Sequence, residues 1–156
     1  MDRIPRPGLF VTQRALPGQE ELLPAQRLVQ LRTEPDFSQV VLALPKVNRN
    51  RRWSFRESGI VVTDLRFLAS LEARPAEGYY ILSQPLHVTA DTILPRRTLV
   101  QMTYSLTALP IVYVARFEGS SIVFPNAGYK FSAELLPLLQ DAGFLAPAAQ
   151  DERQLH

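Results

Sequence analysis

The stretch VQMTYSLT, residues 100–107, shows the clearest periodicity in the chain. Apolar side chains occupy every second position, at Val100, Met102, Tyr104 and Leu106, and polar side chains lie between them. A period of two is typical of a β-strand that packs one face in the core and turns the other toward water. We therefore predict a strand whose wet face carries the polar residues Gln101, Thr103, Ser105 and Thr107.

Further strand-like segments lie on both sides of this stretch. Downstream, residues 111–117 and 121–124 are rich in β-branched and aromatic side chains, and a turn at Glu118–Gly119–Ser120 separates them. Together with the first stretch they predict an antiparallel meander. Upstream, apolar segments bounded by proline or glycine predict strands over residues 37–44, 53–62 and 78–83, with a short one over 86–89.

Two segments in the first half have helical features. Residues 24–32 carry Leu28 and Leu31 three positions apart, which would place both on one helical face. Residues 64–74 form the strongest candidate, because Asp64 suits the N-terminal cap and a proline follows the segment. A third candidate, residues 132–144, begins at Ser132 and contains Pro137, which should kink it.

These elements predict an α+β fold in which β-structure dominates, with a meander sheet and two or three short helices. Its core should consist of the apolar residues that point inward in each element. The predicted core residues are Val40, Leu42, Val61, Leu65, Leu68, Tyr80, Val100, Met102, Tyr104, Ile111, Tyr113, Phe117, Val123, Leu135 and Leu139.

The first 23 residues differ in composition from the rest of the chain. Prolines at 5, 7 and 17 remove backbone donors, so this stretch should be an extended arm and not a central strand. Leu9, Phe10 and Val11 form an apolar cluster within it that needs a surface to cover it. We therefore predict an arm over 1–23, one globular domain over 24–146 and a polar tail over 147–156.

Composition excludes several classes of protein. The chain has 156 residues, 46% of them hydrophobic and 21% charged, which is typical of a globular domain. It has no cysteine, which excludes disulfides and sulfur-based metal sites. No apolar run approaches the roughly 20 residues of a membrane-spanning helix, and no secretory signal begins the chain. These features predict a soluble protein of the cytoplasm or of an assembled particle.

Catalytic patterns are scarce. The two histidines are His87 and His156, and His87 with Asp91 and Ser83 would be the best available catalytic group. No serine lies in a nucleophile-elbow motif, and no glycine-rich phosphate loop or metal-ligand spacing occurs. We therefore expect a non-enzymatic protein without a cofactor or metal.

The segment NRNRRWSFRES, residues 48–58, concentrates cations and aromatic side chains. It contains Arg49, Arg51, Arg52, Trp53, Phe55 and Arg56, and Arg96 and Arg97 form a second basic pair. Basic surfaces with interleaved aromatics hold single-stranded nucleic acids. The same pattern also fits a turn and an edge strand, with the aromatics inward and Arg52 and Arg56 together in water.

The combined features predict a structural or assembly protein, for example a component of a virion. In this hypothesis the chain forms an oligomer or docks on a larger complex through Leu9, Phe10 and Val11 and through a sheet edge. The alternative is a nucleic-acid-binding protein that uses residues 49–56 and the Arg96–Arg97 pair. A net charge of +2 means that any basic surface must be local.

Overall fold

A computed structural model describes residues 5–33 and 39–142. It confirms a β-dominant chain with antiparallel sheets and few helices. The chain divides into two compact units. Unit 1 comprises the described residues up to Ala76 together with Ser105–Ala108, and unit 2 comprises Glu77–Tyr104 and the described residues from Leu109 onward. One folding domain over 24–146 stays a prediction, and the predicted tail lies outside the described residues.

Unit 1 is built on a five-stranded antiparallel sheet in the order β6-β3-β2-β1-β7, with a separate hairpin of β4 and β5. The sheet and one short helix enclose a core that includes Phe10, Leu23, Leu42 and Phe67. The elements are β1 (Gly8–Val11), β2 (Leu28–Thr33), β3 (Val40–Ala43), β4 (Pro45–Arg49), β5 (Arg52–Phe55), β6 (Ile60–Val61), α1 (Leu65–Ala69) and β7 (Glu72–Arg74).

Strand β1 overturns the exclusion of a central strand from the proline-rich segment. Phe10 pairs with Val29 of β2 on one side and with Ala73 of β7 on the other. The prolines lie outside Gly8–Val11, so all four residues of the strand retain their backbone donors. The extended arm over 1–23 is therefore not confirmed, and its first four residues lie outside the described part of the chain.

Two predicted helices are partly or wholly strands. Residues 28–33 form β2 instead of a helix, because pairing with β1 and β3 satisfies their backbone groups. The predicted helix over 64–74 contains only α1, and its last three residues form β7 beside β1. The predicted cap is confirmed, since Asp64 Oδ1 accepts a hydrogen bond from the backbone N–H of Phe67 at 3.0 Å.

The predicted core of unit 1 is partly wrong. Val40, Leu42 and Leu68 are buried as predicted. Val61 and Leu65 are 45% and 51% exposed, and Val62 and Phe67 are buried instead. The short lengths of β6 and α1 explain the error, because a two-residue strand and a five-residue helix offer too few positions for a periodic pattern.

Unit 2 is built on a second five-stranded antiparallel sheet, in the order β15-β12-β11-β8-β16. Two hairpin ladders, β9 with β10 and β13 with β14, lie outside this sheet. The elements are β8 (Gly78–Leu82), β9 (Leu86–His87), β10 (Ile93–Leu94), β11 (Leu99–Tyr104), β12 (Pro110–Val114), β13 (Arg116–Glu118), β14 (Ser121–Val123), β15 (Tyr129–Lys130), a 3-10 helix (Ala133–Leu138) and β16 (Leu139–Asp141).

The strand predicted from residues 100–107 exists, but its wet face does not. All six residues of β11 are buried, including Gln101 and Thr103 at 3% and 2% exposure. The strand pairs with β8 and β12, and Thr103 Oγ1 donates a hydrogen bond to the carboxylate of Glu77. Two of the four polar positions are thus buried, and Thr103 has a hydrogen-bond partner there. The strand ends at Tyr104, and beyond it Ser105 is half-buried and Thr107 is exposed.

The predicted meander is confirmed only for its first pair. Strands β11 and β12 are antiparallel neighbours, whereas β13 and β14 form a ladder of their own. The turn between β13 and β14 contains Gly119 at φ 62°, a left-handed conformation that favours glycine. Phe117, predicted to be core, is 71% exposed on this hairpin.

The other predicted core residues of unit 2 fall into two groups. Val100, Met102 and Tyr104 are buried. The remaining six are only half-buried, namely Tyr80, Ile111, Tyr113, Val123, Leu135 and Leu139.

The predicted C-terminal helix is shorter than expected. Ser132 caps it as predicted, and its hydroxyl accepts a hydrogen bond from the Glu134 backbone N–H at 3.3 Å. The helical stretch stops at Leu138, directly after Pro137, and β16 then pairs with β8. Pairing with a sheet edge therefore replaces the helix over Leu139–Asp141, and the last two residues of the prediction lie outside the described part of the chain. Within the described residues no helix is long and apolar enough to span a membrane.

The buried Thr103 hydroxyl generates the first testable prediction. Replacing it in Thr103→Val keeps the side-chain shape but leaves the Glu77 carboxylate short of one donor. We expect a loss of about 1–3 kcal/mol in the free energy of unfolding, measured by urea denaturation. The matched control is Thr107→Val, an exposed threonine of the same sequence alternation, which should change stability by less than about 0.5 kcal/mol. Equal effects of both variants would contradict a stabilising hydrogen bond between Thr103 and Glu77.

Tyr80 generates a prediction about alkaline stability. Burial raises the pKa of its phenol above the ordinary value of 10.0, and the negative charge of Asp141 raises it further. The unfolded chain therefore loses this proton at lower pH than the folded chain. The free energy of unfolding should be independent of this group below pH 10 and should fall as pH rises from there through the raised pKa.

Urea unfolding at a series of pH values measures this effect. Tyr80→Phe should remove this part of the alkaline decline, and Asp141→Asn should reduce it. An unchanged pH profile in Tyr80→Phe would exclude Tyr80 as its source.

Candidate functional site

The basic and aromatic segment forms the β4–β5 hairpin of unit 1. Arg49 and Arg52 are opposite each other at its end, and Asn50 and Arg51 form the two-residue turn between them. Both turn residues have positive φ, 53° and 61°, as a type I′ turn requires. The second turn position is one where glycine is usual, and here it carries an arginine. The segment is therefore a tight turn leading into a strand, as one of the two interpretations predicted.

The two faces of β5 differ in exposure. Trp53 and Phe55 are half-buried, whereas Arg52 and Ser54 are exposed, in agreement with the alternation expected from the sequence. The pair β4–β5 forms a two-stranded sheet of its own. The aromatics thus do not enter the main core of unit 1 completely, and Trp53 remains accessible.

Arg56 is exposed, as the predicted alternation has it, but it is not part of the regular strand. It lies just after the end of β5, where its backbone N–H donates a hydrogen bond to the Leu44 carbonyl at 2.9 Å. A register shift between Pro45 and Val47 puts Lys46 at an irregular position on the facing strand. These two departures from a regular ladder bring Arg56 and Lys46 to the same cleft as Trp53.

This cleft, the hairpin cleft, has a volume of ≈280 Å³. An indole, three apolar residues and three cations line it: Trp53, Leu44, Pro45, Leu106, Arg27, Lys46 and Arg56. Among the residues that the structure describes, none with a carboxylate lines it. The cleft therefore combines an aromatic surface with a positive charge, which suits a planar group attached to an anion.

Two of the lining residues come from distant parts of the sequence. Arg27 precedes β2, and its backbone N–H donates to the hydroxyl of Thr12 at 2.9 Å. Leu106 is placed by its carbonyl, which accepts a hydrogen bond from the Leu28 N–H at 2.9 Å. Neither residue was predicted to belong to the site, because no local pattern links residue 106 to residue 53.

The remaining arginines of the segment lie on the outside of the hairpin. Arg49 and Arg52 are exposed and directly opposite each other, an arrangement of like charges that destabilises a ladder. Arg51 is half-buried at the turn. The hairpin thus carries charge in two places, at the cleft and at its end.

Arg96 and Arg97 belong to unit 2. The Thr98 N–H donates to the Pro95 carbonyl at 3.2 Å, and Arg97 has φ 71°, which together describe a type II turn. The Arg97 N–H donates to the Leu82 carbonyl at 2.8 Å and holds the turn against β8. Both arginines line a second cleft of ≈350 Å³, together with Ile81, Leu82, Ser83 and Gln140.

The predicted catalytic candidates are placed without a shared hydrogen bond among those described. His87 is exposed on β9, opposite Ile93. The Ser83 hydroxyl donates to the Leu138 carbonyl at 2.9 Å, so its proton is engaged with the backbone. The Asp91 backbone N–H donates to the Thr89 hydroxyl at 3.3 Å. Within the described residues, no group of three His, Asp or Glu side chains could hold a metal ion.

The residues predicted to contact a partner through the arm lie in the sheet of unit 1. Phe10 and Val11 are 7% and 0% exposed, and Leu9 is half-buried. The apolar cluster is thus covered by the chain itself. Its role in binding a partner stays a prediction, and the hairpin cleft offers a more accessible surface.

Comparisons with known proteins give no functional assignment. No family model, no curated protein and no solved structure matches this chain. A functional proposal therefore rests on the geometry of the two clefts and the chemistry of their residues.

The turn at Arg96–Arg97 yields a stability prediction. Arg97→Gly should be more stable than Arg96→Gly by roughly 1 kcal/mol. Of the two arginines only Arg97 has a left-handed φ, and a left-handed φ costs a residue with a side chain about this much, whereas glycine adopts it freely. Each variant removes one exposed arginine and adds one glycine, so the cost of glycine flexibility in the unfolded chain cancels. Urea denaturation measures the difference. Equal stability would contradict the strained turn.

Proposed function

We propose that this chain is a non-enzymatic protein that binds nucleic acid through the β4–β5 hairpin. The observation that carries the proposal is the hairpin cleft, which Arg27, Lys46 and Arg56 line together with Trp53. Cations with an aromatic ring between them are the arrangement by which proteins hold a phosphate backbone and a base together.

The charges at the hairpin end support the same ligand. Arg49 and Arg52 repel each other across the ladder, and an anion between or beside them would remove that cost. Arginine binds phosphate oxygens with two parallel hydrogen bonds, which makes it well suited to this task. A phosphodiester chain carries one charge per nucleotide, so a single strand has phosphates for the hairpin end and for the cleft.

Backbone strain at the turn also supports a functional role. Arg51 has φ 61° where glycine would be favoured, and residues in such unfavourable conformations cluster at functional sites. An arginine kept at this position maintains the charge of the hairpin end at a cost in stability. In the proposed function, contact between this arginine and a phosphate would offset that cost.

A second candidate is the assembly role predicted from the sequence, in which the chain docks on a larger complex. One observation favours it: Phe117 is 71% exposed on the β13–β14 hairpin, an unusual position for a large aromatic residue. This docking would use the β13–β14 hairpin and not Phe10 and Val11, which the chain's own sheet covers. Native mass measurement of wild type and Phe117→Ser distinguishes the candidates, because only an assembly role predicts an oligomer that the substitution dissociates.

The salt dependence of binding tests the proposed function. Fluorescence anisotropy with a labelled oligonucleotide should show affinity that falls steeply between about 50 and about 200 mM salt. The double variant Lys46→Ala/Arg56→Ala should bind more weakly, and the slope against log salt should decrease by about 1 for each phosphate that the variant no longer neutralises. The affinity depends on salt because each phosphate that a cation of the protein neutralises releases counterions into solution.

The matched control is Arg66→Ala, which removes an exposed arginine of α1 in the same unit, outside the cleft lining. It should change affinity by less than about twofold, as expected for one distant charge screened by salt. Absence of binding at low salt, or equal losses in the control and the double variant, would contradict the proposal.

A further inference from the structure

We propose that the hairpin cleft accepts one unpaired base stacked on Trp53, so that the protein prefers single-stranded to duplex nucleic acid. This inference rests on the proposed function and adds the class of ligand. The cleft volume of ≈280 Å³ lies just below the roughly 300–1,000 Å³ typical of ligand pockets. It suits a single planar group with its attached phosphate, and not a double helix.

The position of Trp53 determines the stacking contact. Trp53 is the residue of β5 opposite Asn48, half-buried and on the face away from the exposed Arg52. Its indole lines the cleft together with the apolar residues Leu44 and Pro45. A base that enters the cleft would stack one of its faces on the indole, so that this face is no longer in contact with water. Stacking of bases on aromatic side chains is a main source of affinity in proteins that bind single strands.

The cations of the cleft supply the phosphate contact for the stacked nucleotide. Lys46 and Arg56 are exposed, and Arg27 is half-buried. All three line the same small volume as the indole, so a phosphate attached to the stacked nucleotide lies within reach of the cations. The cleft would thereby contact the base of one nucleotide through the indole and its phosphate through the cations.

A duplex cannot use this contact. Its bases are already stacked and paired, and extruding one costs a few kcal/mol. Duplex DNA would still reach the exposed arginines at the hairpin end, where Arg49 and Arg52 lie. The preference for single strands should therefore depend on Trp53, whereas the salt-dependent attraction should be common to both ligands.

The chain carries its own probe for this test, because Trp53 is the only tryptophan. Titration with oligothymidylate, a single strand, should quench or shift the fluorescence of Trp53, and titration with a fully paired DNA duplex should change it far less.

Trp53→Ala should weaken binding of oligothymidylate by about 5- to 150-fold, the range expected when one stacked base loses its aromatic partner. Its effect on duplex binding should stay within about twofold. Trp53→Phe, which retains a ring, should bind single strands better than Trp53→Ala.

Phe55→Leu serves as the matched control, because Phe55 shares the strand face of Trp53 but does not line the cleft. It should bind oligothymidylate like wild type. If Trp53→Ala unfolds, the wild-type fluorescence titration and Trp53→Phe still decide the question.

Each outcome of the titration bears on a separate claim. Equal affinity for single strand and duplex, with Trp53 fluorescence unchanged by either, would overturn the stacking inference and leave the proposed function intact. Binding to neither ligand would overturn both.

Discussion

The structure of unit 1 depends on the pairing of β1 along both of its edges. Gly8–Val11 forms ladders with β2 and with β7, so it connects the two parts of the sheet. The strand contributes Phe10 to the main core, and Val11 is completely buried. Without β1, strand β7 would have no partner among the strands described, and the core would lose Phe10.

This pairing also determines which surfaces remain for a ligand. Phe10 and Val11 are buried within the chain's own sheet and Leu9 is half-buried, so this cluster presents little exposed apolar surface. The β4–β5 hairpin is different, because its two strands form a sheet of their own and its arginines at positions 49 and 52 remain exposed. Its like-charge pair and its positive-φ arginine are unfavourable in isolation. In the proposed function, a bound anion would relieve the repulsion between the two arginines. The main sheet thus stabilises unit 1, and the proposed binding uses its separate hairpin.

The sequence predicts those features that depend on neighbouring residues. The period of two located β11, Asp64 and Ser132 were correct caps, and the alternation of β5 was correct at Trp53 and Phe55. Features that depend on distant partners were not predictable. Leu28 and Leu31 have helical spacing but lie in a strand, because their neighbours β1 and β3 decide the conformation.

The same limit applies to polar burial and to the site. Nothing beside Thr103 in the sequence indicates that Glu77, 26 positions away, will accept its hydrogen bond. The hairpin was found from its composition, whereas Arg27 and Leu106 join the cleft only through the tertiary fold. Local patterns therefore identified the segment proposed to bind the ligand, and the fold supplied the rest of its lining.

Amide hydrogen exchange of Leu9, Phe10 and Val11 in the full chain is the decisive measurement for the double pairing of β1. In an antiparallel strand, successive backbone amides point toward opposite edges. Pairing on both edges therefore predicts that all three amides exchange slowly, at rates close to those of β2. Rapid exchange of alternate amides would show that only one edge is paired. Rapid exchange of all three would show a free arm, and unit 1 could not then be organised around this strand.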